Sequence, residues 1–100
     1  MISGYKIVWT NKAIADLDNI IEYLTNHWTE KEISGFFKKL DKRINIIGQR
    51  PLLYPVTKMR KNVRRSVLTT QISIYYRISK RSVEILTLFD NRQNPSNLKV

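Results

Sequence analysis

Cationic side chains are concentrated in one short stretch of the chain, residues 58–65. Five of its eight residues are basic and none is acidic; the basic ones are Lys58, Arg60, Lys61, Arg64 and Arg65. The stretch leads into a segment that alternates like a β-strand, so a sheet would hold its arginines at fixed spacing and direct them at an anion. The alternative is a solvated basic edge that prevents aggregation between sheets.

Further residues on the predicted sheet have types suited to RNA cleavage without a metal. The set comprises Arg77, Tyr75, one of Arg64 and Arg65, and Arg92. Arginines stabilise the charge that develops on phosphorane oxygens, and a general base accepts the proton of the 2′-hydroxyl. Tyr75 serves as that base only if cations lower its pKa well below about 10. Anion binding without chemistry is the alternative, and so is a cross-strand ion pair between Arg77 and Glu84.

Other kinds of active site lack the residues that they need. The single histidine, His27, falls at the end of a predicted helix, where it is a favourable cation. Glycine occurs at three scattered positions, which excludes a glycine-rich phosphate loop. No histidine on the sheet can complete a serine triad, and no acidic cluster has metal-ligand spacing. We expect neither a metal nor a cofactor.

The distribution of charge predicts an anionic partner. The net charge is +10; residues 1–50 hold eight basic and six acidic residues, whereas residues 51–100 hold ten and two. Such a field suits nucleic acid, an acidic protein or both, and a membrane partner is not expected because the cations follow no amphipathic helix. The chain has no cysteine, no run of signal-peptide length in residues 1–10 and no bilayer-spanning run, so we expect a cytoplasmic protein.

Residues 11–48 have the pattern of two amphipathic helices. Apolar residues recur at steps of three and four, first from Ala13 to Trp28 and then from Ile33 to Ile47. Thr10 or Asn11 is placed to cap the first helix, residues 29–32 form a capping box for the second, and Gly48 is predicted to end it. The almost absent loop predicts an antiparallel hairpin.

Strands are predicted around this hairpin. Residues 5–9 form the first, and residues 63–89 form three more in an antiparallel meander. In the middle strand one face is apolar (Ile72, Ile74, Tyr76 and Ile78) and the other polar (Ser73, Tyr75, Arg77 and Ser79). The alternation of side chains between the two faces of a strand does not decide whether Arg64 or Arg65 lies on the open face. The chain is therefore predicted to be one α+β domain, residues 1–100, ordered β-α-α-β-β-β, with an antiparallel sheet and the hairpin packed on one face.

The order of these segments resembles the RelE/ParE toxin superfamily over about residues 5–95. The parts that carry the resemblance are Ala13 with Asp16, Leu17 and Ile20, then Tyr75, Tyr76, Arg77 and Ile78 followed by Ile85 and Leu86. The resemblance implies a toxin of a bacterial type II toxin–antitoxin module, assembled with an acidic, partly disordered antitoxin. We expect that antitoxin to bind the helical hairpin, the connector residues Leu52, Leu53 and Tyr54, and the basic sheet together.

The superfamily divides by target. RelE-like members cut mRNA in the ribosomal A site with basic sheet residues and often a tyrosine or histidine near the C-terminus, whereas ParE-like members poison DNA gyrase and lack that set. Here Asp90 stands where many relatives end the last strand with a histidine, Phe89 has no hydroxyl and no tyrosine or histidine follows, although Arg92 keeps one basic position. The resemblance therefore favours the ParE-like branch. A ribonuclease would use Arg65, Arg77, Tyr75 and Asp90.

Two non-toxic alternatives use the same basic surface. One is a nucleic-acid-binding module and the other is a protein that only holds an acidic chain. In each reading the anion-binding residues are the same: Lys58, Arg60, Lys61, Arg64, Arg65, Arg77 and Arg92. Growth arrest on induction, relieved by a neighbouring gene product, separates a toxin from both.

Overall fold

A computed structural model describes residues 4–58 and 60–98 of the chain. Its elements are β1 (Lys6–Trp9), α1 (Asn11–His27), α2 (Glu30–Gln49), β2 (Val63–Val67), β3 (Ile72–Ser79), β4 (Ser82–Asp90) and a 3₁₀ turn (Pro95–Asn97). The predicted α+β fold and its β-α-α-β-β-β order are confirmed. No helix in these two ranges has the length and hydropathy needed to cross a membrane.

The four strands form one sheet in the order β1-β4-β3-β2. β2, β3 and β4 are the predicted antiparallel meander, but β1 pairs in parallel with β4, from Lys6 opposite Ser82 to Trp9 opposite Ile85. The sheet is therefore mixed, and not antiparallel throughout. Tight turns identify pairing only between consecutive strands, and β1 is separated from its partner by the hairpin and two further strands.

Helix α1 is attached to β4 by side chains near its start. Thr10 is its N-cap; its hydroxyl accepts from the Ala13 amide at 3.2 Å and lies 2.8 Å from the carbonyl oxygen of Ile85, to which it donates. One turn later Asp16 accepts a hydrogen bond from the buried Thr87 hydroxyl and pairs with Lys12 at 3.1 Å. These bonds fix where α1 crosses the sheet.

Helix α2 begins at the predicted capping box but does not end at its glycine. Thr29 and Glu32 exchange side-chain and backbone hydrogen bonds, as the sequence predicted. Gly48 lies within the last turn, and the helix continues to Gln49. A Cβ at Gly48 would lie 3.2 Å from Ile7 Cδ1. β1 thus passes close to α2 at this glycine, and the prediction that Gly48 terminates the helix is wrong.

The main core lies between the sheet and the helical hairpin. Its buried members include Ile74, Tyr76, Val83, Ile85 and Leu88 from the sheet, and Ala13, Leu24, Phe36, Leu40 and Ile47 from the helices. Burial of each valine, leucine, isoleucine or phenylalanine among them contributes roughly 1.5–3 kcal/mol relative to exposure. The alternation predicted for β3 therefore directs its apolar face towards the helices.

Candidate anion-binding surface

The register between β2 and β3 decides which arginine faces away from the helices. Arg65 pairs with Tyr75 and Val63 with Arg77, whereas Arg64 pairs with the buried Tyr76. Directly opposed residues of an antiparallel pair share one face of the sheet. Arg65, Tyr75 and Arg77 therefore lie on the face opposite the helices.

Arg64 lies on the helix side and holds the connector between α2 and β2. Its Nη1 donates to the carbonyl oxygen of Tyr54 at 2.6 Å. This bond engages the guanidinium with the protein's own backbone. Arg64 is thus separated by the sheet from the other arginines of the predicted set.

Arg65 belongs to a hydrogen-bonded network at the centre of the outer face. Its Nε donates to Ser73 Oγ at 3.2 Å and its Nη2 donates to Asn91 Oδ1 at 3.3 Å, while Ser73 Oγ donates to the same Asn91 oxygen at 2.6 Å. No carboxylate within the described ranges pairs with Arg65. A cleft of about 180 Å³ opens beside it, lined also by Tyr75 and Gln93. A half-buried guanidinium on such a cleft is suited to binding an anion.

The outer face is not the open polar surface that the strand pattern predicted. Tyr75 is only 5% exposed and packs in a second small core with Val63 and Leu98, against which Leu86 and Phe89 also pack. The rings of Tyr75 and Phe89 meet edge to face, with centroids 6.1 Å apart. The chain after β4 thus returns across this face and covers the tyrosine.

Arg77 forms the cross-strand ion pair that the sequence left as an alternative. Its Nε and Nη2 lie 3.1 Å and 2.7 Å from Glu84 Oε1, and the two residues are paired in the β3–β4 register. The Arg77 side chain remains 49% exposed. Since exposed pairs contribute about 0–1 kcal/mol, an incoming anion can compete with Glu84 for the guanidinium.

Asp90 and Arg92 lie on the other side of the sheet from Tyr75. They border a cleft of about 250 Å³ between α1 and the end of β4, where Tyr23 and Trp28 also contribute. Arg92 contacts both Asp90 oxygens, with Nε–Oδ1 at 3.1 Å and Nη2–Oδ2 at 2.8 Å. These hydrogen bonds lower the pKa of the Asp90 carboxyl below its usual value. The structure therefore does not bring Asp90 or Arg92 together with Arg65, Tyr75 and Arg77.

The remaining cations of the predicted stretch lie in the turn before β2. Lys58, Arg60 and Lys61 are exposed, and Asn62 has a φ of 63° that makes the turn tight. Val56 forms a bridge to Arg64 beside β2, so the edge of the sheet is partly covered at this point. The basic stretch is thus a turn and a strand, with only its strand residues inside the sheet.

The connector residues proposed for antitoxin contact form an exposed but anchored turn. Leu52 and Leu53 are 68% and 56% exposed. Beneath them the buried Tyr76 hydroxyl donates to the carbonyl oxygen of Pro51 at 2.6 Å. Tyr54 lies below the Arg43 guanidinium, 5.5 Å from ring centre to Cζ. Two large apolar side chains are therefore held in solvent by a fixed backbone.

A second apolar surface lies along the hairpin. A groove of about 410 Å³ runs between α1, α2 and the end of β1, and its apolar lining consists of Trp9, Leu17, Phe37, Leu40 and Ile44. His27 lies at the exposed end of α1, where its ring stacks on Tyr23 at 4.2 Å. In the described ranges no three histidine or acidic side chains are placed to hold a metal ion.

A model of the family described as the ParE toxin of the type II toxin–antitoxin system parDE matches residues 7–95. The chain belongs to the ParE toxin family. No curated protein sequence gives a significant match.

Solved structures similar to this ParE-family toxin share its fold at low sequence identity. A chain of the chromosomal ParDE system from P. aeruginosa is 19% identical, with a TM-score of 0.73 over 86% of this chain and 95% of that one. The YoeB/ParE toxin from Agrobacterium tumefaciens is 17% identical, with a TM-score of 0.64 over 86% and 98%. A chain of the E. coli DinJ–YafQ toxin–antitoxin complex is 11% identical, with a TM-score of 0.61 over 86% and 91%. At these identities the likeness establishes the fold alone.

Two residues of this ParE-family toxin that shape the surface escaped the sequence analysis. Arg43 lies on the apolar stripe of α2, three residues after Leu40, and donates to Ser66 Oγ at 2.8 Å and to the carbonyl oxygen of Val67 at 2.6 Å. Its position on that stripe was a usable signal. Leu98 gave no comparable signal, because it stands alone after an aperiodic segment.

Proposed function

We propose that this ParE-family toxin arrests growth by poisoning DNA gyrase, and that it does so without cleaving RNA. The observation that supports this is the separation of the candidate acid–base groups. Tyr75 is buried on one side of the sheet, whereas Asp90 is engaged by Arg92 on the other. General acid–base catalysis needs a group within hydrogen-bonding reach of the proton that moves.

Neither candidate base has the properties that RNA cleavage at neutral pH requires. The Tyr75 side chain is covered by Leu98 and Phe89, so an RNA 2′-hydroxyl has little access to it. The lowered pKa of Asp90 makes its carboxylate a weaker base than an ordinary aspartate. Assistance of this kind is worth about 10²–10⁴-fold in rate, so its absence supports a target other than mRNA.

A paired set of assays tests the target. Purified toxin is expected to inhibit supercoiling by gyrase or to trap cleaved DNA, and to leave mRNA on translating ribosomes intact. Codon-specific cuts in A-site mRNA that disappear in Arg77→Ala or Tyr75→Phe would overturn the proposal. They would assign the chain to the ribonuclease branch.

RelE-like mRNA cleavage is the second candidate, and one observation favours it. Arg65 lies directly across from Tyr75 and beside a cleft of about 180 Å³. A phosphate bound there would contact the guanidinium of Arg65. The ribosomal assay is therefore needed together with the gyrase assay, because it tests whether mRNA is cut.

The ion pair on the outer face provides matched variants for locating the active surface. Arg77→Ala removes the cation, and Glu84→Ala breaks the same ion pair while leaving the cation in place. We expect Arg77→Ala to reduce growth arrest and Glu84→Ala to retain it, with melting temperatures close to that of the parent. Equal growth arrest by both variants would place the active surface elsewhere.

We further propose that an acidic antitoxin neutralises this toxin in a hetero-oligomer. The apolar groove of the hairpin and the exposed Leu52 and Leu53 would accept its apolar side chains, and the net charge of +10 would attract its acidic ones. Electrostatic steering makes association slower as salt rises. An on-rate that does not change between low and high salt would refute the electrostatic part of this proposal.

A further inference from the structure

Six exposed cations meet at one end of the sheet, although they come from four separate parts of the sequence. We call this surface the basic pole; its residues are Lys6, Arg50, Arg60, Lys61, Lys80 and Arg81. Only Arg60 and Lys61 belong to the basic stretch that is visible in the sequence. The other four are brought to the same end by the topology.

The pairing of the strands explains how the basic pole is assembled. Val63 pairs with Arg77, so the turn that carries Arg60 and Lys61 lies at the same end of the sheet as the turn between β3 and β4. That second turn carries Lys80 and Arg81.

The first strand and the end of α2 complete the basic pole. The amide of Lys6 donates to the carbonyl oxygen of Arg81 at 3.0 Å, which brings β1 to this end. The amide of Tyr5 donates to the carbonyl oxygen of Gly48 at 2.8 Å, which brings the last turn of α2 and Arg50 there as well.

Carboxylates of the sheet and of α1 are largely kept away from the basic pole. Asp90 ends β4 at the opposite end of the sheet, and Asp16 is bonded to Thr87, which is nearer to that end. Glu84 is the one described carboxylate on the strands close to the pole, and Arg77 already engages it. Lys6, Lys80 and Arg81 form no ion pair with any residue of the described ranges. The field around these three cations is therefore positive and only weakly compensated.

We propose that the basic pole binds the phosphate backbone of duplex DNA, without reading its sequence. The cations follow the ends of four strands, and three strand spacings of about 4.8 Å extend over roughly 14 Å. Duplex DNA presents one negative charge per about 1.7 Å of its axis, so a row of this width faces several phosphates at once. This activity does not rest on gyrase being the target, because naked DNA is the ligand.

The shape of the basic pole favours DNA over an acidic peptide. Its cations are carried largely on tight turns, one of which has Lys80 at a φ of 54°, and such turns project from the end of the sheet. An acidic peptide needs apolar pockets as well as charge; the hairpin groove is lined by none of the cations of the basic pole, and the cleft beside Leu52 and Leu53 is lined only by Arg50 among them. A projecting row of cations instead suits a regular and extended polyanion.

Two triple variants with the same loss of charge test the proposal. The pole variant is Lys6→Gln, Lys80→Asn and Arg81→Gln; asparagine is used at Lys80 because it tolerates a positive φ. The control variant is Lys31→Gln, Lys38→Gln and Lys39→Gln on the exposed surface of α2. Binding of a fluorescent duplex of about two helical turns is followed by anisotropy without gyrase, at salt from about 50 to 200 mM.

We expect the pole variant to bind DNA more weakly and with a smaller salt dependence. Loss of three phosphate contacts reduces the slope of log K against log salt by about 2.7, whereas the control should keep a slope close to that of the parent. Thermal melting establishes that both variants are folded. If the pole variant melts early, the single variants Lys80→Asn and Arg81→Gln replace it, each with an expected slope change of about 0.9.

Three results would overturn the proposal. The first is a parent protein that does not bind the duplex at low salt. The second is equal weakening by both triple variants, because net charge and not the pole would then govern binding. The third is a pole variant that binds DNA like the parent but no longer binds a polyglutamate peptide, because the pole would then be a site for an acidic protein.

Discussion

Replacing Tyr76 with phenylalanine removes one hydroxyl group that joins the sheet to the connector. The hydroxyl is fully buried and donates to the carbonyl oxygen of Pro51 at 2.6 Å. Loss of the bond leaves that carbonyl without this donor, so we expect the free energy of unfolding to fall by about 1–2 kcal/mol at pH 7. For a domain of this size each kcal/mol lowers the melting temperature by about 4–8 °C.

The same hydroxyl makes the free energy of unfolding depend on pH in the alkaline range. Burial raises the pKa of Tyr76 to about 12 from 10.0. Folding thus favours the protonated phenol, and this contribution to stability is complete below about pH 10 and is lost as the pH rises towards 12. A pKa shift of this size lowers the free energy of unfolding by about 1.4 kcal/mol when the pH reaches roughly 11.

Urea unfolding of the parent and of Tyr76→Phe between about pH 7 and pH 11 measures both effects. The difference in unfolding free energy should be 1–2 kcal/mol at about neutral pH and should approach zero near about pH 11. Contributions from groups that are present in both proteins cancel in the difference. Tyr5→Phe is the control, since the Tyr5 side chain is only partly buried and forms no hydrogen bond with any residue of the described ranges. A parent–variant difference that stays constant above pH 10 would refute the reasoning.

Four further substitutions concern the helices and the turn after β4. Thr29→Ala removes the capping box of α2 and should lower the unfolding free energy by about 1 kcal/mol in urea titrations. Gly35→Ala, where a Cβ meets no atom within 4 Å, should raise that free energy by about 0.5–1 kcal/mol. Gly48→Ala should raise it by less, because its Cβ has a neighbour at 3.2 Å; an equal gain at both glycines would contradict the close approach of β1. Arg92→Gln should raise the pKa of Asp90 in an NMR titration, and an unchanged value would mean that Arg92 does not hold the carboxylate.

Local patterns predicted most of the fold. The steps of three and four located α1 and α2, and the capping residues Thr10 and Thr29 mark their starts. The alternation of β3 correctly directed Tyr76 towards the core and Tyr75 away from it. These features could be predicted because each depends on residues that are close along the chain.

Features that depend on distant pairing could not be predicted in the same way. Arg64 and Arg65 are equivalent by parity, and only the register with β3 distinguishes them. The basic pole needs the parallel pairing of β1, which brings Lys6 beside Arg81. Leu98 covers Tyr75 through a segment that has no periodic pattern. The sequence therefore predicted the types of the candidate residues better than their grouping in space.

The parallel pairing of β1 with β4 also determines when the sheet can be completed during synthesis of the chain. Lys6 pairs with Ser82, so 76 further residues must be synthesised after Lys6 before its partner exists. At about 5–20 residues per second, this interval lasts roughly 4–15 s. During it the hairpin has no complete sheet to pack against and its apolar stripes stay accessible. A nascent chain that stops before β4 cannot bring Lys6 beside Arg81, and a binding partner has those seconds in which to reach the hairpin before the sheet is complete.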